Sequence, residues 1–196
     1  MTTEESPRVV TAAPCEGLDV RSLILLGILL AAGFILNFTV GKAVSAVSAG
    51  MISPEFIISA FCLAILIIRP TARQALGIGL VSAAVIQLTT TSPFIDFAAE
   101  GAAALVMAGF ARLGMRGAAA RVTPAAGTFV ATLVSGVIFM LAKMAMIGAA
   151  AQLAAAMLPV VCATAVFNAI LVHALYLPVR SALDAEAQAP RPVERP

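Results

Sequence analysis

Apolar residues fall into six blocks separated by short polar or charged punctuation. Residues 23–38 are almost wholly apolar and predict a first membrane helix. Residues 38–52 mix glycine, serine and β-branched residues around Lys42, too broken a pattern for a good spanning helix, and predict a long loop over the outer face. Ser53-Pro54 predicts an N-cap with proline at the first helical position, opening a helix over 55–68 that Arg69-Pro70 ends. Such a helix is roughly 21 Å long at 1.5 Å per residue, against about 30 Å of hydrocarbon. It cannot span alone, so its outer end must be covered by protein or line a watery cavity. A similarly short helix, 73–88, returns to the polar tract Thr89-Thr90-Thr91-Ser92-Pro93. The fourth segment covers 93–111, the fifth 123–147 and the sixth 153–177, with Pro159 near its start. The flanks, 1–20 and 179–196, predict disordered tails around a membrane domain of 21–178.

Composition turns this pattern into a class. At 61% hydrophobic and 11% charged residues over 196 positions, the chain has more apolar surface than a soluble core of this size can hide. The expected fold is an all-α membrane protein with six transmembrane helices in a compact bundle. The basic residues orient it. Arg8 and Arg21 precede the first segment, Arg69 and Arg73 lie between the second and third, Arg112, Arg116 and Arg121 between the fourth and fifth, and Arg180, Arg191 and Arg195 follow the sixth. Ten of the twelve basic residues thus fall on one side, which predicts both termini in the cytoplasm. They form no stripe of the kind that binds nucleic acid.

Candidate chemistry collects at the other end. The outer half gathers Asn37, Lys42, Glu55, Gln87, Thr89, Thr90, Thr91, Asp96, Glu100, Lys143 and Gln152, with Phe34, Phe38, Phe56, Phe94, Phe97 and Phe139 at similar depths. Charges at membrane depth are costly unless they face an interior or a watery cavity, so this grouping predicts a binding site for a small zwitterion with an apolar side chain. Lys42 or Lys143 would meet its carboxylate, Glu55, Asp96 or Glu100 its amine, and Phe56 and Phe94 its ring. Each residue also has a structural use: Glu55 and Asp96 can face a helix dipole, Lys143 can snorkel, and Asn168 can bond a neighbouring helix. Glu100 lies too deep in its helix for capping and is the strongest candidate. On the first helix Gly27 and Ala31 have the small-xxx-small spacing that lets another helix approach closely. No phosphate loop, HExxH pair or Ser/His/Asp arrangement is present, Cys15, Cys62 and Cys162 lack ligand spacing, and no enzyme activity, metal or cofactor is expected.

Met51-Ile52-Ser53-Pro54-Glu55-Phe56, the apolar run 61–68 and Leu88-Thr89-Thr90-Thr91-Ser92-Pro93 resemble the tryptophan-transport members of the substrate-binding S components of energy-coupling-factor (ECF) transporters. The resemblance covers residues 22–110 at motif level and the remainder by hydropathy. It implies a six-helix subunit in a prokaryotic cell membrane that captures a small nutrient at the outer face. Tryptophan or a related aromatic amino acid is one such ligand, and a vitamin or vitamin precursor is the alternative. It further implies a membrane coupling (T) subunit, docked at Gly27 and Ala31, and two ATPase subunits that use the ATP. A non-transporting scaffold subunit is the alternative from outside transport.

Overall fold

The structure is a computed structural model that describes residues 18–48, 54–88, 94–115, 117–147 and 150–188. All its regular elements are helical: α1 (Val20–Leu36), a π-helical turn (Asn37–Gly41), α2 (Lys42–Val47), α3 (Phe56–Ile68), α4 (Ala72–Ile86), α5 (Ile95–Leu113), a 3₁₀ turn (Gly117–Arg121), α6 (Thr123–Ile147) and α7 (Ala150–Gln188). Since α1, the π turn and α2 form one rod, the helical rods among the described residues number six. Three stretches, Val20–Val47, Thr123–Met146 and Ala154–Glu186, are long and apolar enough to cross a membrane, while Phe56–Ile68 and Ala72–Ile86 are shorter apolar helices. Together they suit a helical membrane bundle.

At the centre stands α3, packed against α1, α4, α5, α6 and α7. Its residues Phe56–Leu66 are all buried, which explains its composition: a helix apolar all round belongs inside. Close approach to this axis uses glycine. A Cβ on Gly33 would lie 2.9 Å from the Ala60 Cβ and 3.0 Å from the Phe56 carbonyl, so α1 crosses α3 backbone to backbone. Gly79 does the same for α4 on α5.

Four sequence expectations are corrected. The loop expected over 38–52 is helical as far as Val47, and 49–52 lie outside the described residues. Its weak helix formers are held by tertiary contacts: Gly41 packs beneath the Pro54 carbonyl, and Asn37 Oδ1 accepts the Phe56 N–H. Secondly, Pro54 does not occupy the first turn of α3. That helix starts at Phe56, Glu55 flanks it without a side-chain cap, and the Phe56 N–H donates to Asn37 Oδ1 at 3.3 Å, so the cap comes from the π turn. The third segment, thirdly, opens not at Arg73 but at Ala72, where Thr71 and Gln74 form a capping box. Finally, the last helix neither stops at 177 nor gives way to disorder at Arg180. It runs 39 residues to Gln188 through Pro159 and Pro178, its last turns rich in helix-favouring alanine and carrying an Arg180–Asp184 pair.

The bundle has a basic end. Arg21 at the start of α1 donates to the Leu183 carbonyl of α7, and Arg112 at the end of α5 donates to the Pro70 carbonyl between α3 and α4. Arg69, Arg73, Arg121 and Arg180 lie at that same end by their places in the helices. Only Lys42 and Lys143, among the described basic residues, lie towards the other.

Candidate functional site

With 13 residues, α3 is about 20 Å long at roughly 1.5 Å per residue. Its length is below the roughly 30 Å of a bilayer core, its C-terminus lies at the arginine end, and its N-terminus lies at the opposite end of the bundle. A cavity of about 340 Å³ occupies that end. It is lined by Asn37 of the π turn, Lys42 of α2, Glu55 and Ile58 at the start of α3, Ile86 of α4, and Asp96 and Glu100 of α5. Thr132, Ser135, Gly136 and Phe139 of α6 and Met157, Val160, Val161 and Thr164 of α7 complete it. Its volume is near the lower end of the range for small-molecule sites, about 300–1,000 Å³.

Each acidic side chain is placed by a definable local device. Gly79 lets α4 press on α5: a Cβ there would lie 2.6 Å from the Glu100 carbonyl oxygen and 2.8 Å from the Ala104 Cβ. Glu100 is thereby pinned one turn beyond Asp96 on the inward face of α5. It is 3% exposed; Oε1 accepts the Ser135 hydroxyl at 3.2 Å, and Oε2 is buried with no hydrogen-bond partner among the described residues. At the end of α4, Gln87 joins that helix to the start of α5, its Nε2 donating to Asp96 Oδ2 at 3.2 Å and its Oε1 accepting the Phe94 N–H at 3.3 Å. Asp96 is buried and lies in the first turn of α5, where the helix dipole favours an acid. The carboxyl groups of Glu55, Asp96 and Glu100 interact electrostatically, and Lys42 acts on Glu55. Beneath the cavity Asn168 of α7, fully buried, donates to Thr132 Oγ1 at 3.4 Å, tying α7 to α6.

Of the residues singled out from sequence, Asn37, Lys42, Glu55, Asp96 and Glu100 meet on one cavity. The others take different places. Gln87 acts behind the wall, on Asp96. The Phe56 ring packs edge-on against Phe167, 5.7 Å between centroids, and does not line the cavity. Phe94, in a left-handed backbone conformation and 78% exposed, stacks on Phe97 and also lies off it. The aromatic wall is Phe139, and Lys143 sits over that ring, its Nζ 5.6 Å from the centroid, outside the lining. Gln152 is exposed away from the cavity, and Thr89, Thr90 and Thr91 lie outside the described residues. Gly27 and Ala31 are exposed on α1, and a Cβ on Gly27 would meet nothing within 4 Å.

Sequence reasoning missed Thr132, Ser135 and Thr164. For Thr132 and Ser135 the signal was the spacing of Thr128, Thr132 and Ser135, polar positions on one face of an otherwise apolar helix; Thr164 of α7 had none. Among the described residues no group of His, Cys, Asp and Glu side chains converges as a metal site. No family model, curated protein or solved structure matches the chain.

Proposed function

We propose that this chain is the substrate-capture subunit of an importer of the ECF type, taking a small nutrient into the cavity above α3. The observation that carries this reading is the cavity itself, walled by α2–α7 and the π turn, with buried charged groups at the end of the bundle away from the arginines. A scaffold has no use for a buried Glu100 oxygen without a partner, because such a group is costly unless something meets it. The arginine end faces the cytoplasm by the positive-inside rule, which puts both termini inside and the cavity at the outer face of a prokaryotic cell membrane. The chain performs no chemistry; its membrane coupling subunit would dock on the exposed Gly27 and Ala31 stripe of α1, and two ATPase subunits would use the ATP.

The ligand is a small amino acid or a vitamin precursor. Tryptophan as the particular ligand loses the two ring contacts expected at Phe56 and Phe94 and retains only Phe139 as an aromatic wall. The reading is tested by uptake. Cells that express this chain together with an ECF coupling subunit and its ATPases should accumulate one nutrient from a labelled panel of amino acids and vitamins, and neither part alone should do so. Uptake by the chain alone would make it a secondary transporter, and no uptake in either case would return the weight to a scaffold.

A further inference from the structure

The polarity of the cavity wall is uneven. Among the described residues the buried titratable groups of its lining are Glu100 and Asp96, 3% and 5% exposed, and both are acids. Lys42, the one cation on the lining among the described residues, is exposed. Lys143, the other cation at this end, faces the Phe139 ring from outside the lining. Glu100 Oε2 is a buried acceptor without a hydrogen-bond partner among the described residues, while Oε1 is already held by Ser135. The group that complements this arrangement brings both a positive charge and N–H donors. A charge-assisted N–H to carboxylate bond in a low-dielectric site is the strongest hydrogen bond available to it. An inorganic cation fits poorly, since among the described residues the acids do not converge as a metal site and Ile58, Ile86, Phe139 and Val160 make part of the wall apolar. An aliphatic or aromatic amine fits both parts.

From this geometry we infer that the ligand is recognised by its protonated amine, which binds Glu100 Oε2, and that a carboxylate on the ligand is dispensable. The inference rests on the solute-capture reading and names the chemistry of its ligand. A zwitterionic amino acid is then accepted with its carboxylate left at the Lys42 side, where exposure makes an ion pair weak. An acid without an amine is rejected, because its charge would face Glu100 and Asp96.

The test uses two probe sets that keep the apolar part and exchange the polar end: tryptamine, tryptophan and indolepropionate, and isoamylamine, leucine and isocaproate. Thermal midpoints of the detergent-purified chain and of Glu100→Gln are measured with each. The chain contains no tryptophan, so indole emission also reports bound probe without protein background. The expected result is a shift with at least one amine, an equal or smaller one with its amino acid, and affinity at least about thirtyfold lower for the matching acid. The shift should vanish in Glu100→Gln. An acid that binds as well as its amine, an amino acid that binds where its amine does not, or an amine shift that survives Glu100→Gln would each overturn the inference and leave solute capture standing. If all six probes are silent while a vitamin without an amine stabilises the chain, the inference falls alone. If nothing stabilises it, both fall.

Discussion

Glu100→Gln is expected to leave the bundle folded and to abolish ligand-dependent stabilisation. The substitution keeps the side-chain volume and the Ser135 hydrogen bond but removes the charge from a residue 3% exposed. Removing one partner of a buried charge pair costs about 2–5 kcal/mol of binding, so affinity should fall at least about thirtyfold. The ligand-free protein should behave in the opposite way. Glu100 is a buried acid beside two others, so the wild type carries a desolvation and like-charge cost that the neutral Gln relieves. The thermal midpoint without ligand should therefore hold or rise. This combination separates a binding residue from a structural one, since stability given up at a site is characteristic of function. A lower midpoint with unchanged affinity would make Glu100 a structural acid.

Gly79→Leu has the second large expected effect. A Cβ at this position would lie 2.6 Å from the Glu100 backbone oxygen and 2.8 Å from the Ala104 Cβ, and the oxygen belongs to a packed helix that cannot move alone. Overpacking of this kind costs about 1–3 kcal/mol, and here it also pushes α5 away from α4. Both folded yield and ligand binding should drop, because the helix displaced is the one that presents Asp96 and Glu100. Gly77→Leu is the matched control, since nothing lies within 4 Å of a Cβ there and the position is exposed. It should change neither. Equal behaviour of the two variants, read by size-exclusion yield and thermal midpoint, would remove Gly79 from the account of how the site is held.

The parts of the fold that could be read from sequence were those in which a helix declares itself by its apolar content. Residues 55–68 are too short to span and too apolar to be solvated, and of the two expectations for their outer end, cover by protein or a watery cavity, the position of Glu55 on the cavity agrees with the second. The segment after Phe38 was not legible for the same reason in reverse. Its glycine, serines and valines favour helix weakly, and it is helical because Asn37 and Gly41 fit against Pro54 and Phe56, contacts 13 to 19 residues away that no local pattern encodes.

The site shows the same division. Charged residues at membrane depth were conspicuous, and five of them or their neighbours, Asn37, Lys42, Glu55, Asp96 and Glu100, do converge. Of the phenylalanines named by depth, Phe139 lines the cavity while Phe56 and Phe94 do not, because phenylalanine in an apolar helix carries no sign of which face is inward. Phe56 went to a Phe167 contact between α3 and α7, and Phe139, one turn before Lys143, became the wall. Ser135 and Thr132 were overlooked because a hydroxyl in a membrane helix usually bonds its own backbone. Here Ser135 turns to Glu100, and Thr132 accepts from Asn168.

The central claim, that the cavity above α3 holds a small ligand, is tested most directly by thermal denaturation of the detergent-purified chain across a panel of amino acids and water-soluble vitamins. A ligand that binds only the folded state raises the midpoint in a concentration-dependent way, by about 2.7 kcal/mol of stabilisation at a hundredfold excess over Kd. The account predicts such a rise with at least one amine-bearing nutrient and its loss in Glu100→Gln. A midpoint that no ligand moves, in a protein that remains monodisperse throughout, would contradict it.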